Sequence, residues 1–123
     1  MRHLTESQAR AAIRRGAVIE QLLATSTAGV VSWLTIRPGP NCVNLLRNDR
    51  LDCGTDHFCD VYEFEPMDPE SYDEHRLLTC ADFAEAFAAA MSLGARADRW
   101  VNEGLIDAEY SDLRRASRQS SID

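Results

Sequence analysis

The sequence predicts an α+β fold, with a helix at the N-terminus, an antiparallel sheet in the middle and helices at the end. Three observations support this prediction. Apolar residues recur at helical spacing near the N-terminus, β-branched and aromatic residues follow, and alanine and phenylalanine form a second helical stripe in the last third. With 123 residues and 45% hydrophobic side chains, residues 1–123 suit one globular domain.

The first helix is predicted to begin at a capping box. Thr5 is the expected N-cap, and Gln8 stands three residues later, where its side chain can bind the cap backbone. The apolar positions that follow share one helical face, and they are Ala9, Ala12, Ile13, Gly16, Ile19, Leu22 and Leu23. The spacing predicts a helix that ends near Ala24, where threonine and serine follow.

The middle of the chain predicts a three- to four-stranded antiparallel meander. The first strand, residues 30–36, is rich in β-branched and aromatic side chains, and a Pro-Gly-Pro-Asn turn follows it. Asn48 and Asp49 indicate a second turn. The further strands are predicted at residues 42–47, 51–53 and 58–64, the last one with alternating inward and outward side chains.

A loop and a long helix are predicted next. Pro66 and Pro69 prevent regular strand pairing, which predicts a loop over residues 65–75. Thr79 is then the expected N-cap of the long helix. The helix has an apolar stripe that weakens toward its end and comprises Phe83, Ala84, Phe87, Ala90, Met91, Ala95, Trp100 and Val101.

The end of the chain predicts a short second helix. Gly104 is placed to end the long helix, and Asp107 is placed to cap a short one. Residues 114–123 are expected to fray. We expect the helices to pack on one face of the sheet, so that its other face or its rim is left for a partner.

Negative charge is concentrated in the middle of the chain, in residues 49–74, which we call the acidic segment. It carries ten carboxylates and one cation, Arg50, for a formal net charge of −9, whereas the whole chain carries −7. The first 48 residues carry six arginines and two glutamates, a net charge of +4. Such a distribution favours a recognition surface for a basic partner.

Several function classes are disfavoured by what the sequence lacks. It contains neither of the glycine-rich phosphate-binding motifs G-x-x-x-x-G-K-[ST] and G-x-G-x-x-G, so we expect no nucleotide cofactor and no enzyme built on one. The basic pairs at 14–15 and 114–115 are too short for a nucleic-acid interface. No apolar run has the length of a membrane span and no signal peptide is recognisable, so we expect a cytoplasmic location and no membrane partner.

A cluster of Cys53, His57 and Cys59 offers two chemical alternatives. With Cys42 or Cys80 it supplies four soft ligands for zinc, although five residues between Cys53 and Cys59 exceed the usual Cys-x₂₋₄-Cys spacing. As a nucleophile and base it lacks an accompanying oxyanion loop. We therefore expect free, buried cysteines, no catalytic residues, and no bound metal or other cofactor. The chain is not expected to be an enzyme.

Aromatic side chains alternate with carboxylates in the acidic segment. An aromatic anchor surrounded by carboxylates suits the binding of a basic cleft, because charge raises the encounter rate and aromatic rings supply buried area. Tyr72 is the favoured anchor, since Tyr62 and Phe64 also suit the core. The predicted partner-binding residues are Asp60, Glu63, Glu65, Asp68, Glu70, Tyr72, Asp73 and Glu74. The alternative is a solvated acidic loop that binds nothing.

Three features can be considered together: the size of the chain, the acidic stretch DHFCDVYEFE at residues 56–65, and the loop after it. In these features the chain resembles, in type, the small immunity proteins of bacterial polymorphic toxin and contact-dependent inhibition systems. Such proteins are single cytosolic domains, often acidic and often α+β, that each inhibit one cognate toxin by binding it. The resemblance implies an inhibitor that covers the active-site cleft of a basic toxin with its acidic strand and loop. The alternatives are another interaction or scaffold protein, of open oligomeric state, and a small zinc-binding protein.

Overall fold

The structure, a computed structural model, describes residues 2–23, 29–52, 54, 60–64 and 75–122. Helices and a β-sheet make up this part of the chain, which confirms the predicted α+β class. The elements run in the order α1 (Glu6–Arg14), β1 (Ile19–Leu22), β2 (Val30–Gly39), β3 (Cys42–Leu51), the 3₁₀ helix η1 (Val61–Glu63), β4 (His75–Cys80), α2 (Phe83–Ser92), β5 (Val101–Asn102) and α3 (Ile106–Ile122).

The first helix begins where the sequence predicts and ends earlier. Thr5 Oγ1 accepts from the Gln8 backbone N–H at 3.2 Å, and Gln8 Oε1 accepts from the Thr5 N–H at 2.9 Å, so the capping box is present. The helix ends at Arg14 instead of near Ala24. Gly16 follows with φ +88°, a conformation that favours glycine and turns the chain into β1.

The five strands that the structure describes form one antiparallel sheet in the order β4-β3-β2-β1-β5. The hairpin of β2 and β3 dominates it, since each strand has ten residues. The predicted turn at Asn48 and Asp49 is wrong, because β3 continues to Leu51. Asn48 pairs with Trp33, and Asp49 pairs with Ser32 and accepts a hydrogen bond from its hydroxyl at 2.5 Å.

The strand predicted at residues 58–64 is also wrong over the residues that the structure describes. Val61–Glu63 forms the 3₁₀ helix η1, and residues 55–59 lie outside the description. Of the short strand predicted at residues 51–53, Leu51 is the last residue of β3, Asp52 lies outside the strands, and residue 53 lies outside the described residues. The strand that completes this side of the sheet is β4, where the sequence predicts the end of a loop and a helix cap.

The second helix begins later and ends earlier than predicted. Thr79 lies in β4, and the N-cap is Asp82, whose carboxylate accepts from the Glu85 N–H at 2.9 Å. The helix ends at Ser92, and Gly94 follows with φ +103°. What the sequence predicts as one long helix is therefore α2, a connection and the edge strand β5.

The last helix is longer than predicted. It begins at Ile106 and has 17 residues, whereas the sequence predicts a short helix. Gly104 does not end a helix but lies in the turn between β5 and α3, with φ +97°. The backbone N–H of Gly104 in this turn and that of Ile106 at the start of α3 each bind a side chain of the candidate site described below.

Helices α1 and α2 cover one face of the sheet. The guanidinium of Arg10 in α1 lies 5.0 Å above the ring of Phe83 in α2, so the two helices also contact each other. The first hydrophobic core lies beneath them and consists of Ala9, Ala12, Ile13, Ile19, Leu23, Leu34, Ile36, Val43, Leu45, Cys80, Phe83, Ala86, Phe87, Ala90, Ala95 and Trp100.

Helix α3 and η1 cover the opposite face, so the prediction of helices on one face only is wrong. The reason lies in β2, which buries every residue from Val31 to Ile36 and therefore needs cover on both faces. The second hydrophobic core consists of Val31, Trp33, Val61, Phe64, Val101, Ile106 and Tyr110. Val61 and Phe64 of the acidic segment thus pack in the second core and help to cover this face of the sheet.

Candidate functional site

Two of the eight predicted partner-binding residues lie in the described part of the chain. Asp60 precedes η1, Glu63 is the last residue of η1, and both are exposed. The other six lie outside the described residues, and they are Glu65, Asp68, Glu70, Tyr72, Asp73 and Glu74. Within the described residues, the candidate site therefore comprises residues 60–64 and the side chains that contact them.

A three-residue period separates the inner from the outer side of this turn. Val61 and Phe64 are buried in the second core, whereas Asp60 and Glu63 are exposed. The Glu63 N–H donates to the Asp60 carbonyl at 3.0 Å, as a 3₁₀ turn requires. Phe64 packs edge-on against the ring of Tyr110, with ring centroids 5.4 Å apart. The buried pair thus presents the acidic pair to solvent.

Tyr62 joins the turn to the sheet and to α3. Its hydroxyl donates to Glu20 Oε1 at 2.7 Å and accepts from the Ile106 N–H at 3.2 Å. Glu20 lies in β1 and is 2% exposed. Its carboxylate also accepts from Thr35 Oγ1 at 3.2 Å and from the Gly104 N–H at 3.1 Å. One buried carboxylate therefore connects β1, β2, η1 and the turn before α3.

The electrostatics of this network follow from burial without a countercharge. No arginine or histidine in the described part of the chain forms an ion pair with Glu20. Burial raises the pKa of the Glu20 carboxyl, and the hydrogen bonds from Tyr62, Gly104 and Thr35 oppose that rise. Burial, and then the hydrogen bond to Glu20, raise the pKa of the Tyr62 phenol. Tyr62 therefore remains a hydrogen-bond donor throughout the physiological range.

A second tyrosine fixes the chain just before the undescribed stretch. Tyr110 Oη in α3 donates to Asp52 Oδ1 at 2.5 Å, and Arg114 donates to the same hydroxyl at 3.3 Å. Burial, followed by the bond to Asp52, raises the pKa of Tyr110 to about 12. Gly54 lies so close that an added Cβ would collide with the Tyr110 hydroxyl. Asp52 and Phe64 thus both contact Tyr110 of α3.

The one cation of the acidic segment is directed toward the protein. Arg50 donates to the Phe64 carbonyl at 3.2 Å, and its guanidinium lies 5.7 Å from the centre of the Trp33 ring. Neither Asp60 nor Glu63 forms an ion pair with any residue that the structure describes. Within the described part of the chain, these two carboxylates therefore lack a countercharge.

The cysteine cluster offers no site within the described residues. Cys42 and Cys80 are free thiols, Cys80 is buried, and burial raises its pKa. Cys53, His57 and Cys59 lie outside the description, so zinc binding there stays a prediction. In the part of the chain that is described, no three His, Cys, Asp or Glu side chains are grouped so that they can hold a metal ion.

The sequence analysis missed Glu20, which lies within the predicted first helix but is not part of its apolar stripe. No local signal distinguishes this glutamate from an exposed one, because its partners are far along the chain. Tyr62 is 42 residues away and Gly104 is 84 residues away. By contrast, the sequence around Tyr62 fits two patterns. Val61 and Phe64 are three residues apart, as in a 3₁₀ turn, whereas Tyr62 and Phe64 are two apart, as in a strand.

Comparison with protein-family models, with curated proteins and with solved structures finds no match to this chain. Within the described residues, no helix has the length and apolar character needed to cross a bilayer. What the chain does must therefore be inferred from its own residues and their arrangement.

Proposed function

We propose that the chain is a protein-binding inhibitor of the immunity type, which neutralises a cognate basic bacterial toxin by covering its active-site cleft with the acidic segment. One observation supports this most directly: Asp60 and Glu63 are exposed, without a countercharge in the described chain, on a turn that the core holds in place. A solubilising loop needs no such support, whereas a binding surface gains from it.

The support matters because ordering a flexible segment on binding costs conformational entropy. An acidic turn that is fixed before the partner arrives loses less of that entropy, so more of the interaction energy appears as affinity. Val61 and Phe64 fix the turn by burial, and Tyr62 fixes it by two hydrogen bonds. The turn is therefore preorganised for binding.

The charge of the acidic segment serves encounter and specificity. A net charge of −9 over residues 49–74 attracts a cationic cleft over several ångströms and repels acidic proteins. If Asp60 or Glu63 becomes buried against an arginine or lysine of the toxin, its truncation costs about 2–5 kcal/mol of binding energy. Carboxylates at the rim of the interface change the association rate and its salt dependence instead.

Capture from a lysate of the source bacterium tests the proposal. The bait is the full chain, compared with the double variant Asp60→Asn/Glu63→Gln and with the control Glu6→Gln/Asp98→Asn. The control removes the same charge from exposed positions outside the acidic segment. Binding is compared at about 50 mM and about 500 mM salt, since screening is strong at the higher concentration.

We expect the wild-type chain and the control to retain one basic protein at low salt and to release it at high salt. The Asp60/Glu63 variant should retain less of it. The captured protein is then assayed for inhibition by the chain at one equivalent. Equal capture by both double variants, or a captured protein that keeps full activity, would contradict the proposal.

A further inference from the structure

A cleft lies between the N-terminal segment, the connection from α2 to β5, and α3. Its volume is about 340 Å³, which is in the lower part of the range for small-molecule sites. None of its lining residues belongs to the acidic segment, and three of them are arginines, Arg2, Arg96 and Arg99. The chain has 20 acidic and 13 basic residues, so three arginines at one cleft are a notable local concentration of positive charge.

The carboxylates that line the cleft already have cationic or hydrogen-bonding partners. Glu109 Oε1 lies 2.7 Å from His3 Nε2, and Glu109 Oε2 lies 3.0 Å from an Arg2 terminal nitrogen. Asp112 pairs with the same Arg2 and lies 3.5 Å from Arg115. Both carboxylates of the cleft are thus paired with donors of the protein, and a bound cation would have to compete with these partners.

The spare hydrogen-bonding capacity consists of donors. The Arg99 guanidinium forms no ion pair or hydrogen bond with any side chain in the described ranges, so none of its five N–H groups has a side-chain partner there. Arg96 lies 3.8 Å from Asp98, but both side chains are more than two-thirds exposed, and such pairs are weak. A ligand of this cleft must therefore supply acceptors and negative charge.

A buried side chain holds the turn that carries both arginines. Gln21 of β1 is 2% exposed, and it donates to the Arg96 carbonyl at 2.8 Å and accepts from the Arg96 N–H at 2.6 Å. The Arg99 N–H in turn donates to the Arg96 carbonyl at 3.4 Å. The backbone beneath the two guanidinium groups is thus fixed before any ligand arrives, which lowers the entropic cost of binding.

We propose that this cleft binds a small molecule with an oxyanion group, a phosphate or a carboxylate, which Arg96 and Arg99 hold. Planar guanidinium groups bind such oxyanions through paired N–H donors. The rest of the ligand lies against Leu22 and Leu113, the leucines among the lining residues. The site is independent of the proposed toxin-binding surface, because the two share no residue.

Titration of the full chain with inorganic phosphate and, separately, with acetate tests this proposal. The heat of binding, by isothermal titration calorimetry, or the amide chemical shifts, by NMR, are recorded at constant ionic strength, with sodium chloride replaced by the probe. The test variant is Arg96→Gln/Arg99→Gln, and the control is Arg14→Gln/Arg15→Gln, which removes two exposed arginines that do not line the cleft. Thermal unfolding of each variant checks that the fold is kept.

We expect saturable binding of one probe per chain, with a dissociation constant of about 1–10 mM because the probes lack the apolar part of a full ligand. The cleft variant should bind at least about tenfold more weakly, which corresponds to 1.4 kcal/mol, and the control should bind as the wild type does. Stronger binding of phosphate would assign a phosphorylated ligand, and stronger binding of acetate a carboxylate. No saturable binding of either probe, or equal weakening in the control, would overturn the proposal.

Discussion

Replacement of Tyr62 by phenylalanine removes the hydroxyl that connects the acidic turn to the sheet and to α3. The ring can keep its edge-to-face contact with Trp33, whose centroid is 5.5 Å away, so the change isolates the two hydrogen bonds. One is donated to the Glu20 carboxylate at 2.7 Å, and the other is accepted from the Ile106 N–H at 3.2 Å.

The expected loss follows from these two bonds. A hydrogen bond to a charged group contributes about 1.5–3 kcal/mol and a neutral one about 0.5–1.5 kcal/mol. Tyr62 is half-buried, so water replaces part of what is lost, and Glu20 keeps its donors Thr35 and Gly104. We therefore expect the variant to lose about 2–3 kcal/mol of unfolding free energy at pH 7.

Urea denaturation, followed by the fluorescence of the buried Trp33 and Trp100, measures this loss by linear extrapolation. Tyr110→Phe is the matched control, because its hydroxyl binds Asp52, an exposed carboxylate that water can solvate, and we expect a loss of about 0.5–1.5 kcal/mol. If Tyr62→Phe lost less than Tyr110→Phe, the argument that the buried carboxylate holds the turn would be refuted.

Three further outcomes are expected from the same contacts. Glu20→Gln keeps the hydrogen-bonding geometry and removes the charge. Because burial raises the pKa of Glu20 in the folded state, the contribution of Glu20 to the unfolding free energy of the wild type is fully present below the unfolded pKa of 4.5 and is lost as the pH rises through the folded pKa. In urea denaturation, the unfolding free energy of the variant should therefore rise relative to that of the wild type from acid to neutral pH. A constant difference across that range would contradict the linkage. Gly54→Ala should lower the unfolding free energy by about 1–3 kcal/mol, because the added Cβ collides with the Tyr110 hydroxyl. The double variant Gly54→Ala/Tyr110→Phe should recover part of that loss, since it lacks the hydroxyl. Cys80 should react with a thiol reagent only on unfolding, whereas the half-buried Cys42 should react in the native state, and peptide mass spectrometry resolves the two; early labelling of Cys80 would contradict its burial.

Local signals predicted the parts of the fold that depend on near neighbours. The capping box of Thr5 and Gln8 involves residues three apart, and the hairpin of β2 and β3 meets at a proline-containing turn. By contrast, Ile19 and Leu22 fit an apolar stripe of a helix as well as a short strand. Gly16 was the available stop signal, since a glycine with positive φ commonly ends a helix.

The candidate site could be predicted only in part, for a physical reason. The charge of the acidic segment is a property of composition, so the sequence shows it directly. The support beneath Asp60 and Glu63 comes from β1 and α3, which meet η1 only in the folded chain. Burial of Glu20 depends on these tertiary contacts, and the sequence around residue 20 contains no pattern that predicts the burial.

Growth rescue tests the proposal that the acidic segment protects a cell from a basic toxin. The captured basic protein is expressed in a bacterial host at a level that stops growth, together with graded amounts of the chain. We expect the wild type and Glu6→Gln/Asp98→Asn to restore growth at equal levels, and Asp60→Asn/Glu63→Gln to need more protein for the same rescue. Growth that stays arrested at every level of the wild-type chain would contradict the claim.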